Sequence, residues 1–464
     1  MKWELDWNDP FTHYLESFES LVGDRRTWTT LTETVKGIIS SGSLVCTRIA
    51  AQSPILGAVK KGAQRIIRMV RGETTKRSPD LDALHLTAQM RTHALAQLAE
   101  QKSEELWLIA DGSDLRKPYA KEMPQLMKVR ALAGGLVNGY QTLTVLALTQ
   151  QRRGILYHRL FSSTAPDFVS EPREVQQALQ TTSKAIAPLK AQMLFTWILD
   201  SGFDDVAVWR TIWEQDEHVL VRLYHLDRLI TFPKQTGGWQ RGSIAQALGT
   251  LPLLARAQTL LEVRKRGQRR AKRQSVTVEI RAGALQVSYD TNVRRAGEAV
   301  WVTKTVWLVE VRLLDSNLDP WVLLTDWEVE TAAQALRIFQ MYRQRWSVED
   351  SFKFSKECLG WEEVQVLDLE GIRTLVALAW VAAGFLYQLG VTLEWEAMQL
   401  LAKLGGWEVR ADRRPGKITL TRGLRRLLSL VTTDAILKAY YREHGPFPPQ
   451  IAAFLHGWRP DREL

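Results

Sequence analysis

A chain of 464 residues, 45% hydrophobic and 24% charged, is long enough for two or three domains around a sizeable core and too apolar for wholesale disorder. Its formal net charge of +10 points to a polyanionic partner, and nucleic acid fits better than a small acidic ligand. Two distant cysteines, Cys46 and Cys358, with His13, His85, His93, His158, His218, His225, His444 and His456 scattered, argue against a disulfide scaffold and against zinc, and suggest a reducing compartment.

The N-terminus, MKWELDWNDPFTHYL, lacks the charged start and apolar core of a secretion signal, so a cytoplasmic location is expected. Residues 1–98 read as helical. The segments LVCTRIAA and VKKGAQRIIRMVRGETTKR supply basic amphipathic material, which predicts a DNA-binding region. A helical cap on a catalytic core is the alternative.

Residues 99–225 alternate strand and helix. The run ELWLIA from Glu105 to Ala110 predicts a strand ending in Asp111, after which DGSDLRKP is expected to turn away on its Gly, Ser and Pro. Alternation in GYQTLTVLALT and GILYHRLF predicts a hairpin, and EPREVQQALQTTSKAIAPL a helix. A second buried strand, AQMLFTWIL, ends in Asp200 and leads into helical spacing in SGFDDVAVWRTIWEQ; EHVLVRLYH closes the set as a third strand. Asp114, Asp204 and Asp205 lie beyond the strand ends and read as turn or capping residues. The expected architecture is a mixed sheet with flanking helices.

Residues 226–328 interrupt that order with the strand-like runs SVTVEIRA, GALQVSY and VWVTKTVWLVEVRLL, which predict a β-rich insertion. It carries the densest charge run in the chain, with Arg264, Lys265, Arg266, Arg269, Arg270, Lys272 and Arg273. A solvated loop is the usual reading of such a run; in a nucleic-acid enzyme it would bind backbone phosphate. The segment from Thr331 to Gly360 holds no Pro or Gly until its end and predicts one helix. On that helix Tyr342, Arg345, Glu349 and Lys356 fall in a stripe about 60° wide. Thr374–Thr392, without a charged residue, is long enough to span a bilayer, but a single such segment reads as a buried core helix. Residues 393–464 form a smaller helical tail with the basic segment GLRRLL.

The order and spacing of Tyr342, Arg345, Glu349 and Lys356, with Asp111 and Asp200 upstream, resemble the YREK signature of DDE transposases of bacterial insertion sequences, in the cut-and-paste group related to insertion sequence four. The resemblance implies an α/β fold with a ribonuclease-H-like core in two parts, 99–225 and 329–392. The insertion at 226–328 would separate them, and helical regions would serve DNA-end binding (1–98) and dimerisation or synapsis (393–464).

It also implies that Asp111, Asp200 and Glu349 are the catalytic residues and hold two Mg²⁺ ions, Mn²⁺ being a possible substitute, because phosphodiester cleavage places charge on both the attacking and the leaving oxygen. Tyr342, Arg345 and Lys356 would grip phosphates near the transposon end. Relatives carry a Trp twenty-one residues before the signature Tyr that stacks on a flipped base; the corresponding residue is Trp321. A core role is the alternative in a chain with 18 Trp, and Trp301, Trp307 and Trp327 lie on nearby strands.

One departure from the family pattern is Ser201, where a basic residue often follows the second aspartate. The partners implied are double-stranded DNA, as terminal inverted repeats and target, and a second copy of the chain. The cell's nucleoid would be the setting. No membrane contact is expected, and no glycine-rich nucleotide loop calls for ATP. A ribonuclease-H-like nuclease that joins nothing, and a domesticated, inactive DNA-binding protein, are the competing readings.

Overall fold

The computed structural model describes residues 10–73, 78, 80–101, 103–132, 134–149, 152–234, 236–263, 272–295, 298–314, 318–408, 414–455 and 457–460. Helices α1 (Pro10–Glu16), α2 (Arg25–Ser41), α3 (Cys46–Ala50), α4 (Val59–Val70) and α5 (Ala83–Ala99) precede the first strand. Strands β1 (Glu105–Arg116), β2 (Met127–Arg130), β3 (Leu136–Leu148) and β4 (Arg153–Phe161) follow. Next come α6 (Glu171–Ile186), β5 (Leu194–Leu199), α7 (Val206–Trp213) and β6 (His218–Arg222).

The middle of the chain is mostly strand: β7 (Leu229–Pro233), β8 (Trp239–Ser243), a short α8 (Ile244–Leu248), β9 (Leu253–Val263), β10 (Lys272–Arg295), β11 (Glu298–Leu313) and β12 (Trp321–Thr325). The remainder is helical: α9 (Ala332–Arg343), α10 (Trp346–Leu359), α11 (Leu369–Thr392), α12 (Trp395–Leu404), α13 (Lys417–His444) and α14 (Pro449–Ala452).

Among the described residues twelve strands form one sheet in the order β2-β3-β1-β5-β6-β12-β11-β10-β7-β8, with β4 on β3 and β9 on β10. The sheet is mixed, β1, β5 and β6 running parallel and β3, β4 and β12 antiparallel to their neighbours. Its central strands are buried on both faces, which is why ELWLIA and LFTWIL are continuous apolar runs and not alternating ones. Ile109, Leu146, Ile198 and Leu220 point into a core shared with α2, α5 and α11. Leu108, Ala110, Val145, Trp197, Leu199 and Val221 point the other way, into a core under α6 and α7. Period-two alternation therefore sorts the residues of β1, β5 and β6 into two layers.

Four local expectations change. The strand holding Asp111 does not end there: it runs on to Arg116, paired with β3 from Trp107 to Arg116, so ladder hydrogen bonds override the turn propensity of Gly112 and Ser113. Asp114 thus lies within a strand, not at a turn or cap. SVTVEIRA and GALQVSY are one strand, β10, whose neighbours β9 and β11 pair with its two ends. The helix expected over Thr331–Gly360 is two helices meeting at Gln344 and Arg345.

The apolar segment Thr374–Thr392 lies in α11. This helix is long and apolar enough to cross a membrane, and 78% of its apolar window is buried inside the protein. It packs against α2, α4, α5, α10, α13 and β4.

Helix α10 ends on Gly360 in the left-handed region, at φ 66°. A Cβ there would lie 2.6 Å from Ser43 Cα and 2.7 Å from Gly42 O, because the C-terminal ends of α2 and α10 meet. Gly360→Ala is expected to lower stability by at least about 1–2 kcal/mol from backbone strain alone, plus the cost of moving the Gly42–Leu44 loop. Chemical denaturation of the two proteins reads this; equal midpoints would refute it.

Candidate active site

The parallel ladder between β1 and β5 runs from Glu105↔Leu194 to Ala110↔Leu199. The next position along each is Asp111 and Asp200, so the two carboxylates stand level at neighbouring strands. Each follows its strand's last inward-pointing isoleucine by two residues, Ile109 and Ile198, which places both on the face covered by α9 and α10. Asp200 is the N-cap of a short 3-10 turn and accepts from Gly202 N at 2.8 Å. Asp111 Oδ1 accepts from Gly112 N at 2.8 Å.

Glu349 reaches the same place from the first turn of α10. Arg345, at the junction of α9 and α10, joins the set: Nη1 donates to Asp111 Oδ2 at 3.3 Å, and Nη2 donates to Glu349 Oε1. The Arg345 and Asp111 side chains are only 13% and 14% exposed, whereas Glu349 is 52% exposed. Burial and then the charge of Asp200 push the Asp111 carboxyl up to about 7, although Arg345 and the Gly112 amide pull it down. Glu349 adds to the upward push. A buried carboxylate driven this far towards its neutral form lacks full counter-charge, even with one guanidinium beside it.

Among the described residues no three His, Cys, Asp or Glu side chains stand together in metal-holding geometry. The Arg345 guanidinium stands between Asp111 and Glu349 and engages both. The chemistry of the donor set nonetheless fits a hard divalent cation, since all three groups are carboxylates, one of them electrostatically under-compensated.

Tyr342 is 4% exposed, and burial pushes its phenol up to about 12, against the pull of Arg345 and Arg222. Lys356 Nζ donates to Asp114 O at 2.7 Å and lies 3.5 Å from Glu362 Oε1. Arg345, Glu349 and Lys356 thus face β1 as a set, while the Tyr342 ring lies deeper, against Trp321.

Trp321, on β12, is 6% exposed. Its ring packs against Phe339, Tyr342 and Trp346 at centroid distances of 5.8, 5.3 and 5.8 Å. The ring of this cluster that reaches solvent is Trp346, 45% exposed. Of the alternatives, Trp327 stacks on His218 at 3.9 Å, Trp307 is partly buried and Trp301 is exposed on β11. Arg264, Lys265, Arg266, Arg269 and Arg270 lie outside the described residues. The backbone of Lys272 and Arg273 begins β10, and their side chains are likewise outside the description.

Asp204 is tied to Tyr224 N at 2.6 Å, His225 N at 2.8 Å and to Arg228, and so holds the loop after β6; Asp205 caps α7. Two residues beside the site escape a reading based on runs and stripes. Arg222 is level with Asp200 on the next strand, because Leu199 pairs with Val221, and it offers positive charge where Ser201 does not. Trp346 lies one residue from Arg345. The ending of HVLVR in Arg is a signal for the former only once strand register is known.

Residues 170–383 match the transposase DDE domain family. That segment is under half of the chain; it contains Asp200, Tyr342, Arg345, Glu349 and Lys356, while Asp111 lies upstream of it. A search among curated proteins finds no match.

Proposed function

We propose that the protein is a DDE transposase, which cuts double-stranded DNA at terminal inverted repeats and joins the freed 3′ ends to a target. The observation that carries this reading is the level placement of Asp111 and Asp200 on one sheet face opposite Glu349, with Arg345 bridging the first and third. The family match supports a transposase domain. The spacing of Tyr342, Arg345, Glu349 and Lys356 supports the YREK subfamily. A ribonuclease-H-like core is supported by two antiparallel strands, β3 and β4, continuing a parallel set with helices on both faces.

Asp111, Asp200 and Glu349 are the residues that would hold two Mg²⁺ or Mn²⁺ ions. Bound there, the ions supply charge to offset the attacking and leaving oxygens of a phosphodiester. Arg345, already shared between two carboxylates, then has a guanidinium to turn towards a DNA phosphate, and Lys356 a second cation on the same side. By family analogy water first nicks one strand; the 3′-hydroxyl this frees attacks a phosphodiester of the opposite strand, which releases the flanking DNA and leaves a hairpin, and hydrolysis reopens the hairpin before joining.

For an extruded base, the exposed outer ring of Trp346, backed by buried Trp321, is the available stacking face. Trp346→Ala is accordingly expected to slow hairpin formation roughly tenfold, by loss of one base–aromatic stack, and first-strand nicking little. Gel analysis of the two products reads this; equal effects on both steps would reject the role.

The basic face of α4, with Lys60, Lys61 and Arg68 exposed and Ala63, Ile66 and Met69 buried, supports DNA-end binding by the N-terminal region. Residues 264–273 would add backbone-phosphate contacts. Helix α13 exposes Leu427, Leu430, Val431 and Ile436, which supports a homodimer through the C-terminal region. A cytoplasmic site of action accords with all of this.

The test is incubation with Mg²⁺ and a duplex carrying the inverted repeats that flank the gene. Cutting at the repeat ends and joining of the 3′ ends to a plasmid is the expected result. Cutting without joining would favour a nuclease, and binding without cutting an inactive DNA-binding protein.

A further inference from the structure

Beyond α10 the chain turns through Gly360 into a 3-10 turn, Trp361–Glu363. Here the Glu362 carboxylate faces two cations. Its Oε1 atom lies 3.2 Å from Arg116 Nη1 and 3.5 Å from Lys356 Nζ. Both cations are held by backbone carbonyls as well: Arg116 Nε donates to Arg130 O at 2.9 Å, and Lys356 Nζ to Asp114 O at 2.7 Å. The pair would therefore keep its geometry with the carboxylate gone. The backbone of the turn is anchored separately, since Lys117 Nζ donates to Glu362 O at 2.6 Å and to Val364 O. Moving the carboxylate needs only a side-chain rotation, and that side chain is 33% exposed.

We propose that Arg116 and Lys356 form a phosphate-binding pair for the DNA backbone, and that the Glu362 carboxylate occupies it in the DNA-free protein. The inference rests on the transposase reading and adds to it Arg116 as a DNA contact and Glu362 as an internal competitor. An oxygen shared by a guanidinium and an ammonium is the arrangement a backbone phosphate takes. The position suits DNA that also reaches the carboxylates: Lys356 lies seven residues along α10 from Glu349, about 10 Å, and Asp114 is three residues along β1 from Asp111, again about 10 Å.

The test is fluorescence anisotropy of full-length protein with a short random-sequence duplex, without divalent ions. Glu362→Gln is expected to tighten binding roughly fivefold, by removing the competitor while keeping the shape. Arg116→Gln is expected to weaken binding and to lower the slope of log affinity against log salt by about one phosphate contact. In the Arg116→Gln background, Glu362→Gln should tighten binding clearly less, because only Lys356 is left to release. Equal tightening in both backgrounds would make the gain a general charge effect and overturn the proposal, as would no tightening in wild-type background. Either result leaves the transposase reading standing, whereas wild-type protein that binds no duplex at all overturns both.

Discussion

Asp111→Asn, Asp200→Asn and Glu349→Gln are each expected to lower Mg²⁺-dependent cleavage of an end-bearing duplex by at least about a thousandfold, while duplex affinity stays within about threefold. The reason is local. A carboxylate-to-amide change keeps volume and removes the anionic donor, and loss of a divalent ion's charge stabilisation is worth several kcal/mol in the transition state. On the proposed reading, affinity is carried by cations elsewhere, on α4, at Arg116 and at Lys356. Asp114→Asn is the control: strand alternation turns its side chain to the face opposite Asp111, and its hydrogen bond to Lys356 is through the backbone carbonyl, which the substitution keeps, so that only the weakest of the charge effects on Lys356 is lost. Wild-type-like cutting by any of the three would exclude that residue as a ligand, and loss of cutting in Asp114→Asn would break the register argument.

The same change at Asp111 has an opposite effect on stability. Its carboxyl rises from an ordinary 3.8 to about 7 through burial and the neighbouring Asp200. For an acid whose folded pKa is raised, stability is lost as pH climbs from the lower value to the higher one, because ionisation costs more in the fold than in the unfolded chain. Asp111→Asn removes that cost at neutral pH, so the inactive protein is expected to melt a few degrees higher than wild type in the absence of metal. Negative charge concentrated at one buried place is the physical source of the trade.

What the sequence revealed about this site, and what it hid, divides along local and non-local physics. ELWLIA and AQMLFTWIL announce buried strands because their apolar runs are contiguous, and the acid after each is therefore visible. That Asp111 and Asp200 stand level is a fact of register, fixed by the pairing Ala110↔Leu199, which no local pattern encodes. The helical spacing over Thr331–Gly360 is legible, yet the junction at Gln344 and Arg345 carries no Pro or Gly to signal it. Both residues keep right-handed helical dihedrals, so propensity gives no warning. The exposed ring at the site is hidden for a similar reason: Trp321 and Trp346 are the same residue type, and only packing against Phe339 and Tyr342 separates the buried ring from the wet one.

A last prediction concerns the core behind the site. His158, on β4, is 6% exposed, with Nδ1 3.0 Å from Thr144 Oγ1 and its ring 5.7 and 5.6 Å from the rings of Trp361 and Trp380. Among the described residues its Nε2 atom has no hydrogen-bond partner, so nothing there would stabilise an imidazolium. Burial drives its pKa down from 6.5 to about 3. For a base whose folded pKa is depressed, the two states bind protons equally above the unfolded value; below it the unfolded chain is protonated and the fold is not. Stability is therefore lost as pH falls from 6.5 towards 3, by about 2 kcal/mol at pH 5. His158→Gln lacks this titration, so its stability should be lower than wild type at pH 7 through imperfect packing but should fall less between pH 7 and 5. His93, half-buried and also with a lowered pKa, contributes equally to both proteins and cancels. Urea denaturation at the two pH values measures the difference, and identical losses in wild type and variant would show that His158 takes up its proton in the folded state.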